Sequence, residues 1–185
     1  MGDTTLWVFG YGSLIWQPGF AHAERLPARL DGWHRSFCMH SVHYRGTVET
    51  PGLVLALDAA DGAACAGVAF GIAEPEADSV IEYLRERELV ASAYVERMLP
   101  LSLADGREVE AVTYVIDRDH PLYAGALDLE DQAAIIARAE GNRGCNADYL
   151  FNTAAHLAEL GFADPDLEHL AARVRAIRAS GPGPL

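Results

Sequence analysis

Covalent staples are scarce in this chain. Its 185 residues include three cysteines. Cys38, Cys65 and Cys145 are far apart, odd in number and form no Cys-x-x-Cys pair. That pattern excludes a disulfide framework and a structural zinc site, and points to reduced thiols in a cytoplasmic protein. Positive charge is scarce too: 14 Lys and Arg against 27 Asp and Glu leave a net charge of −13, with a pI near 4.8. Without a basic stripe to neutralise phosphates, nucleic acid and anionic membrane are excluded as partners. An anionic small molecule would have to be held locally, by a few arginines and backbone amides. No apolar run approaches the roughly 20 residues of a membrane span. The opening Met-Gly-Asp-Thr-Thr lacks the regions of a signal peptide, and Leu6 stands where a myristoylation site needs serine or threonine.

Apolar residues are plentiful, at 50%, enough for a sizeable core in a single domain over residues 1–185. The most informative stretch is 7–14, Trp-Val-Phe-Gly-Tyr-Gly-Ser-Leu. Trp7, Val8 and Phe9 read as a buried strand. Gly10 and Gly12 then permit torsions closed to other residues and let a ligand approach the main chain. Successive amides in such a turn form an anion-holding nest; equally, the glycines serve only a tight turn. Two commoner glycine loops do not fit. Ile15 stands where a dinucleotide fingerprint needs its third glycine, and no lysine follows as a phosphate loop requires. Ser13, followed by Leu14-Ile15, is not in a nucleophile elbow.

The first two thirds read as strands at 6–10, 28–40, 52–58, 65–72, 95–103 and 109–116, with a hairpin turn at Asp105-Gly106. One helix interrupts them, from Pro75 to Leu89. The last third is helical. Asp128 caps a helix running to about Ala139 and stopped by Gly141, and Asn146 caps a second that ends at Gly161. Asp164-Pro165 opens a third, with Leu167, Leu170, Val174 and Ile177 on one stripe. The final Gly-Pro-Gly-Pro-Leu at 181–185 reads as a disordered tail. Strands followed by helices, rather than alternating with them, predict an α+β fold with an antiparallel or mixed sheet.

Within the helix at 75–89, Ala77, Ile81 and Leu84 define an apolar stripe, with Val80 nearby. At roughly 100° per residue, Glu88 falls about 20° from Ile81 and about 40° from Leu84, whereas Glu86 falls about 160° from Leu84. Glu82 is on the outer face as well. Glu88 alone of the three aims inward. A carboxylate facing a core is costly unless paired or functional. Desolvation raises its pKa toward neutrality, which suits a group that takes and returns a proton. The alternative is a structural ion pair with Arg85, Arg87 or a more distant arginine.

Two further loops carry polar groups. In His-Tyr-Arg-Gly-Thr at 43–47, Arg45 can offer a guanidinium fork to a carboxylate or simply be solvated. In Glu-Gly-Asn-Arg-Gly-Cys-Asn-Ala-Asp-Tyr at 140–149, glycines and asparagines turn into a capped helix, with Tyr149 one turn in, able to close over a pocket. His40 and His43, three apart on a strand, fall on opposite faces. They are read as structural rather than as metal ligands. No motif calls for a metal or a cofactor.

Taken in order, these segments resemble the ChaC family of glutathione-specific γ-glutamylcyclotransferases. The resemblance rests on Val-Phe-Gly-Tyr-Gly-Ser-Leu-Ile-Trp at 8–16, Tyr-Arg-Gly-Thr at 44–47 and Pro-Gly-Leu-Val at 51–54. It continues with Gly-Val-Ala-Phe at 67–70, Tyr-Leu-x-x-Arg-Glu at 83–88 and Gly-Cys-Asn-Ala-Asp-Tyr-Leu at 144–150. It extends over about residues 6–162. It implies a γ-glutamylcyclotransferase-like fold, a small mixed β-barrel flanked by helices, acting on glutathione without a cofactor. It implies that Tyr11, Gly12, Ser13 and Leu14, with Gly10 before them, hold the γ-glutamyl group, and that Glu88 is the catalytic glutamate. Arg45 is the candidate for a substrate carboxylate and Tyr149 for the rest of the substrate. Other γ-glutamyl amino acids or amines as substrates, and a non-catalytic γ-glutamyl binding module, are the alternatives. The chain departs from the family pattern after Glu88, where Leu-Val-Ala-Ser-Ala-Tyr replaces a Gly-Gly-Tyr or Gly-Tyr.

Overall fold

Trp7, Val8 and Phe9 sit in the middle of β1 (Thr4–Gly10), and all three are buried. The strand has a partner on each edge in the computed structural model, which describes residues 4–89 and 93–181. It runs antiparallel to β3 (Gly52–Ala73), with Trp7 opposite Gly71 and Phe9 opposite Ala69. It runs parallel to β5 (Glu108–Ile116), where Val8 meets Val112. A strand enclosed on both edges and both faces takes large β-favouring residues at every position rather than in alternation. With β2 (Glu24–Ser41) and β4 (Tyr94–Leu103), the order β1-β3-β2-β4-β5 closes into a barrel. Trp7, Phe9, Leu30, Leu57, Leu101 and Val115 belong to its core. Closure leaves the barrel without an open edge strand among the described residues.

The expected hairpin is present: β4 and β5 pair antiparallel from Tyr94↔Ile116 to Ser102↔Glu108. At its turn Gly106 takes φ 92° and its amide donates to Leu103 O at 3.0 Å. The segments 52–58 and 65–72, expected as separate strands, belong to one. The residues between them are alanines around Asp61-Gly62, a pair that reads as a turn. Gly62 instead takes φ 77° within a continuous strand, a torsion that glycine adopts at little steric cost. Ladder pairing here overrides weak local preference.

Two compact units divide the chain. The first is built from residues up to Ser36 and from Ala56–His120. It holds the barrel core and α1 (Glu74–Glu88), which packs on β1. Pro75 lies in the first turn of α1, and Val80 and Leu84 are its buried residues. The stripe is therefore centred on Val80 and Leu84, with Ala77 and Ile81 half-buried.

The second unit is built from Phe37–Leu55 and from Pro121 onward. Its helices are α2 (Leu129–Arg138), α3 (Asn146–Glu159) and α4 (Pro165–Ala179). Asp128 caps α2 by accepting from Asp131 N (2.8 Å), and Asp164 caps α4 by accepting from Leu167 N (3.1 Å). Ile136, Leu150, Leu157, Leu167, Leu170 and Val174 are buried, so the stripe on α4 lies as expected except that Ile177 is only half-buried. A small hairpin, β6 (Glu140–Gly141) and β7 (Gly144–Cys145), leads from α2 to α3. β2 ends at Ser41, so His43 lies in the following loop and not on a strand with His40. The tail residues 182–185 and Val90–Ser92 lie outside the described residues. No helix among the described residues is long and apolar enough to cross a membrane.

Candidate active site

The loop after β1 is fastened at several points. Leu14 and Ile15 are buried, and Ser13–Ile15 form a 3₁₀ turn in which Ile15 N donates to Gly12 O (2.9 Å). Such a turn leaves its first amides, here those of Ser13 and Leu14, outside its own ladder. Tyr11 is held at two points. Its hydroxyl donates to Tyr114 O (2.9 Å), and its carbonyl accepts from Nη1 of the buried Arg35 (2.8 Å). Arg35 also donates to Ala66 O (3.0 Å). Gly10 sits in tight surroundings rather than at a positive φ. A Cβ there would come within 3.2 Å of Leu14 Cβ and 3.3 Å of the Phe70 ring. The positive-φ glycines lie elsewhere, while Gly12 takes φ −139° and ψ −127°.

The last turn of α1 meets this loop through two of its side chains. At i, i+1, i+4 and i+5, Tyr83, Leu84, Arg87 and Glu88 divide the work by helical phase. Leu84 is buried as the anchor. Tyr83 fills the space that a Cβ on Gly19 would need, and its ring stands edge-on to Phe20 with centroids 6.3 Å apart. Arg87 Nη2 donates to Ser13 Oγ (3.0 Å). Its Nη1 donates to Gln17 O (2.6 Å), Pro18 O (3.2 Å) and Tyr83 Oη (3.1 Å). The same guanidinium lies 3.4 Å from Glu88 Oε1 through Nε. One planar group thus touches both the loop and the carboxylate.

Glu88 is turned inward as helical phase requires: its side chain is 18% exposed, whereas Glu82 and Glu86 are exposed. Burial pushes its pKa above the ordinary carboxylate value, and the Arg87 charge only partly opposes this. Arg85, the other adjacent arginine, makes a different pair. It holds Glu96 in a two-point fork of 2.9 and 2.8 Å. Glu96 also accepts from Tyr114 Oη (3.0 Å). Those hydrogen bonds, Arg85 foremost, keep Glu96 below the usual carboxylate value, while burial keeps the Tyr114 phenol protonated. Two carboxylates of one unit are therefore pushed in opposite directions, one kept charged and one drawn toward neutrality. The second is the group suited to exchanging a proton.

Arg45 and Tyr149 lie together in the second unit. Arg45 Nη1 donates to Cys145 O (3.2 Å), and its guanidinium sits 5.7 Å from the Tyr149 ring centroid. Tyr149 Oη accepts from Leu55 N (3.3 Å), and its ring stands edge-on to Phe37. The two polar loops expected separately are stitched to each other, since His43 O and Tyr44 O accept from Asn142 N (2.9 Å) and Arg143 N (3.0 Å). Gly141 serves this approach rather than stopping α2: a Cβ there would meet Tyr44 C and Gly46 N.

Asn146 corrects the expectation of an N-cap. It is the first residue of α3, fully buried. Its side-chain amide accepts from Leu53 N and donates to Leu53 O, both at 2.7 Å. It pairs with the strand as another backbone would.

The first unit thus brings Gly10, Tyr11, Gly12, Ser13 and Leu14 to Glu88 through Arg87, and the second brings Arg45 to Tyr149. Arg87, Arg35 and Asn146 were not singled out from the sequence as structural linchpins. The signal for Arg87 was its place four residues after Tyr83. That for Arg35 was strand parity with Trp33, a residue packed on the barrel core. The departure after Glu88 falls largely on Val90–Ser92, outside the described residues.

The profile of the ChaC-like protein family matches residues 6–177. A glutathione-specific gamma-glutamylcyclotransferase of Escherichia coli K12 is 37% identical over 174 residues, 94% of this chain and 74% of that protein. A protein of the same name from Schizosaccharomyces pombe is 35% identical over 192 residues, 94% of each chain. Among solved structures, the gamma-glutamyl cyclotransferase specific to glutathione from yeast superposes with a TM-score of 0.80 at 25% identity, covering 94% of this chain and 99% of that one.

Proposed function

Since the chain belongs to the ChaC-like family, we propose that it is a glutathione-specific γ-glutamylcyclotransferase, a lyase that releases 5-oxoproline and cysteinylglycine from glutathione. The substrate carries its own nucleophile. The glutamyl α-amine attacks the γ-carbonyl carbon, a C–N bond forms to close a five-membered ring, and the γ-amide C–N bond breaks. No water is consumed. Tethering replaces a bimolecular encounter, so the protein has to hold the chain folded and move protons. Glu88 accepts a proton from the attacking nitrogen and returns it to the departing nitrogen of cysteinylglycine. Gly10, Tyr11, Gly12, Ser13 and Leu14 hold the γ-glutamyl group, with backbone amides around Gly12 and Ser13 facing an anionic substrate group or the oxyanion. Arg45 takes a substrate carboxylate, and Tyr149 contacts the rest of the peptide.

The observation that carries this reading is Glu88 itself, a largely desolvated carboxylate joined through one guanidinium to Ser13. A cytoplasmic setting goes with it, supported by the odd, widely spaced cysteines. The purified protein incubated with glutathione should yield 5-oxoproline and cysteinylglycine by mass spectrometry. A panel of other γ-glutamyl amino acids and amines should turn over far more slowly. Equal turnover across the panel refutes glutathione specificity, and binding of glutathione without any product refutes catalysis.

A further inference from the structure

A cation in the last turn of a helix needs no partner beyond the helix dipole and water. Arg87 holds that position on α1, yet its side chain is only 23% exposed and its donors are spent within the protein. Four acceptors from Ser13, Gln17, Pro18 and Tyr83 receive them at 2.6–3.2 Å, and Nε rests 3.4 Å from Glu88 Oε1. We propose that Arg87 is a positioning residue for the cyclisation: one guanidinium fixes the spacing between the loop that holds the glutamyl group and the carboxylate that handles its proton, and sets a positive charge beside that carboxylate. This rests on the reading of Glu88 as proton acceptor.

The geometry needs arginine in particular. A guanidinium is planar and offers donors in fixed directions, so acceptors on one edge hold those on the other in register. An ammonium gathers its three donors on one atom, so it cannot reach acceptors on two separated edges at once. The charge argument is separate. Burial drives Glu88 toward its protonated form, in which it cannot act as a base, and Arg87 is the cation that opposes this. The other ionisable groups nearby are already committed. Arg85 is forked to Glu96, and the Tyr114 phenol, kept protonated, donates to the same Glu96. Glu82 and Glu86 face water.

The test compares Arg87→Gln with Arg87→Lys in the full chain. Arg87→Lys keeps the charge and removes the planar fork. Two readouts are taken: steady-state kinetics with glutathione along the acid limb, and a ¹³C NMR titration of the glutamate carboxyl carbons in the ligand-free protein. In Arg87→Gln the Glu88 titration and the acid limb of kcat/KM should both move to higher pH. At neutral pH kcat/KM should fall about 100-fold, as expected when reacting groups shift by an ångström. Arg87→Lys should keep the wild-type titration but show KM raised about tenfold, because one ammonium cannot span both sides. An unmoved Glu88 titration in a folded Arg87→Gln protein overturns the charge role. Wild-type KM in Arg87→Lys overturns the fork, and decides that point even if Arg87→Gln does not fold. Should the wild-type protein release no 5-oxoproline, the proposed activity fails, while the ligand-free titration still decides whether Arg87 governs Glu88.

Discussion

Glu88→Gln separates proton transfer from everything else that this side chain does. Glutamine has nearly the same shape, and its carbonyl oxygen can still face Arg87 Nε, 3.4 Å away in the wild type. The loss of a part-exposed ion pair costs about 0–1 kcal/mol. Against this stands the relief of burying a charge. Because burial raises the folded-state pKa of Glu88, its ionisation weakens the fold as pH rises from the unfolded-state value through the folded one. That penalty is absent from the amide. The variant should therefore melt within a few degrees of wild type, or above it. Catalysis should behave differently. A positioned acid–base group contributes roughly 10²–10⁴-fold, and a residue that both takes and returns the proton belongs at the upper end. That corresponds to about 5 kcal/mol of barrier at 1.36 kcal/mol per decade. The assay is 5-oxoproline release from glutathione, followed by mass spectrometry beside a thermal melt. The wild-type profile should show an acid limb above the ordinary carboxylate range, lost along with the activity in the variant. A folded Glu88→Gln protein turning over at the wild-type rate would refute the reasoning.

Other substitutions test neighbouring parts. Glu86→Gln, on the exposed face of α1, should keep the wild-type rate; a folded but inactive variant would place the helix in the wrong phase. Arg45→Met should raise KM for glutathione by about 10–100-fold with kcat little changed, the worth of roughly 1.5–3 kcal/mol for a hydrogen bond to a charged group. An unchanged KM would remove Arg45 from substrate binding. Asn146→Ala leaves the Leu53 amide and carbonyl buried without their partner. It should cost about 2–5 kcal/mol and lower the melting temperature by on the order of 10 °C; a wild-type melt would contradict the two-point bond.

Periodicity was legible wherever one physical cause dominated. The barrel strand at 7–9, the hairpin at Asp105-Gly106 and the caps at Asp128 and Asp164 each depend on local chemistry, and each lies where that chemistry puts it. The inward turn of Glu88 followed from helical phase alone, which the side chain's low exposure bears out. Illegible were features set by partners distant in sequence. Asp61-Gly62 has the composition of a turn, and pairing within the sheet made it part of a strand. Asn146 has the composition of a cap, and its acceptor and donor lie 93 positions away on Leu53. Arg87 and Ser13 are 74 positions apart, so nothing local announces that the two motifs form one structure. Gly10 was expected for its torsional freedom, but its φ is not positive and its surroundings are crowded by Leu14 and Phe70, which come from the fold.

Tyr11 is fastened at its backbone carbonyl and at the far tip of its ring. A wall secured at both ends does not mould itself around whatever arrives. Under the proposed function, in which Tyr11 borders the γ-glutamyl group, discrimination at that wall is settled by rejection, with the shape of the acyl half fixed before the ligand enters. Any latitude toward chemically different leaving amines must then come from residues with fewer tethers, and divergence of substrate preference should accumulate there while this tyrosine stays put.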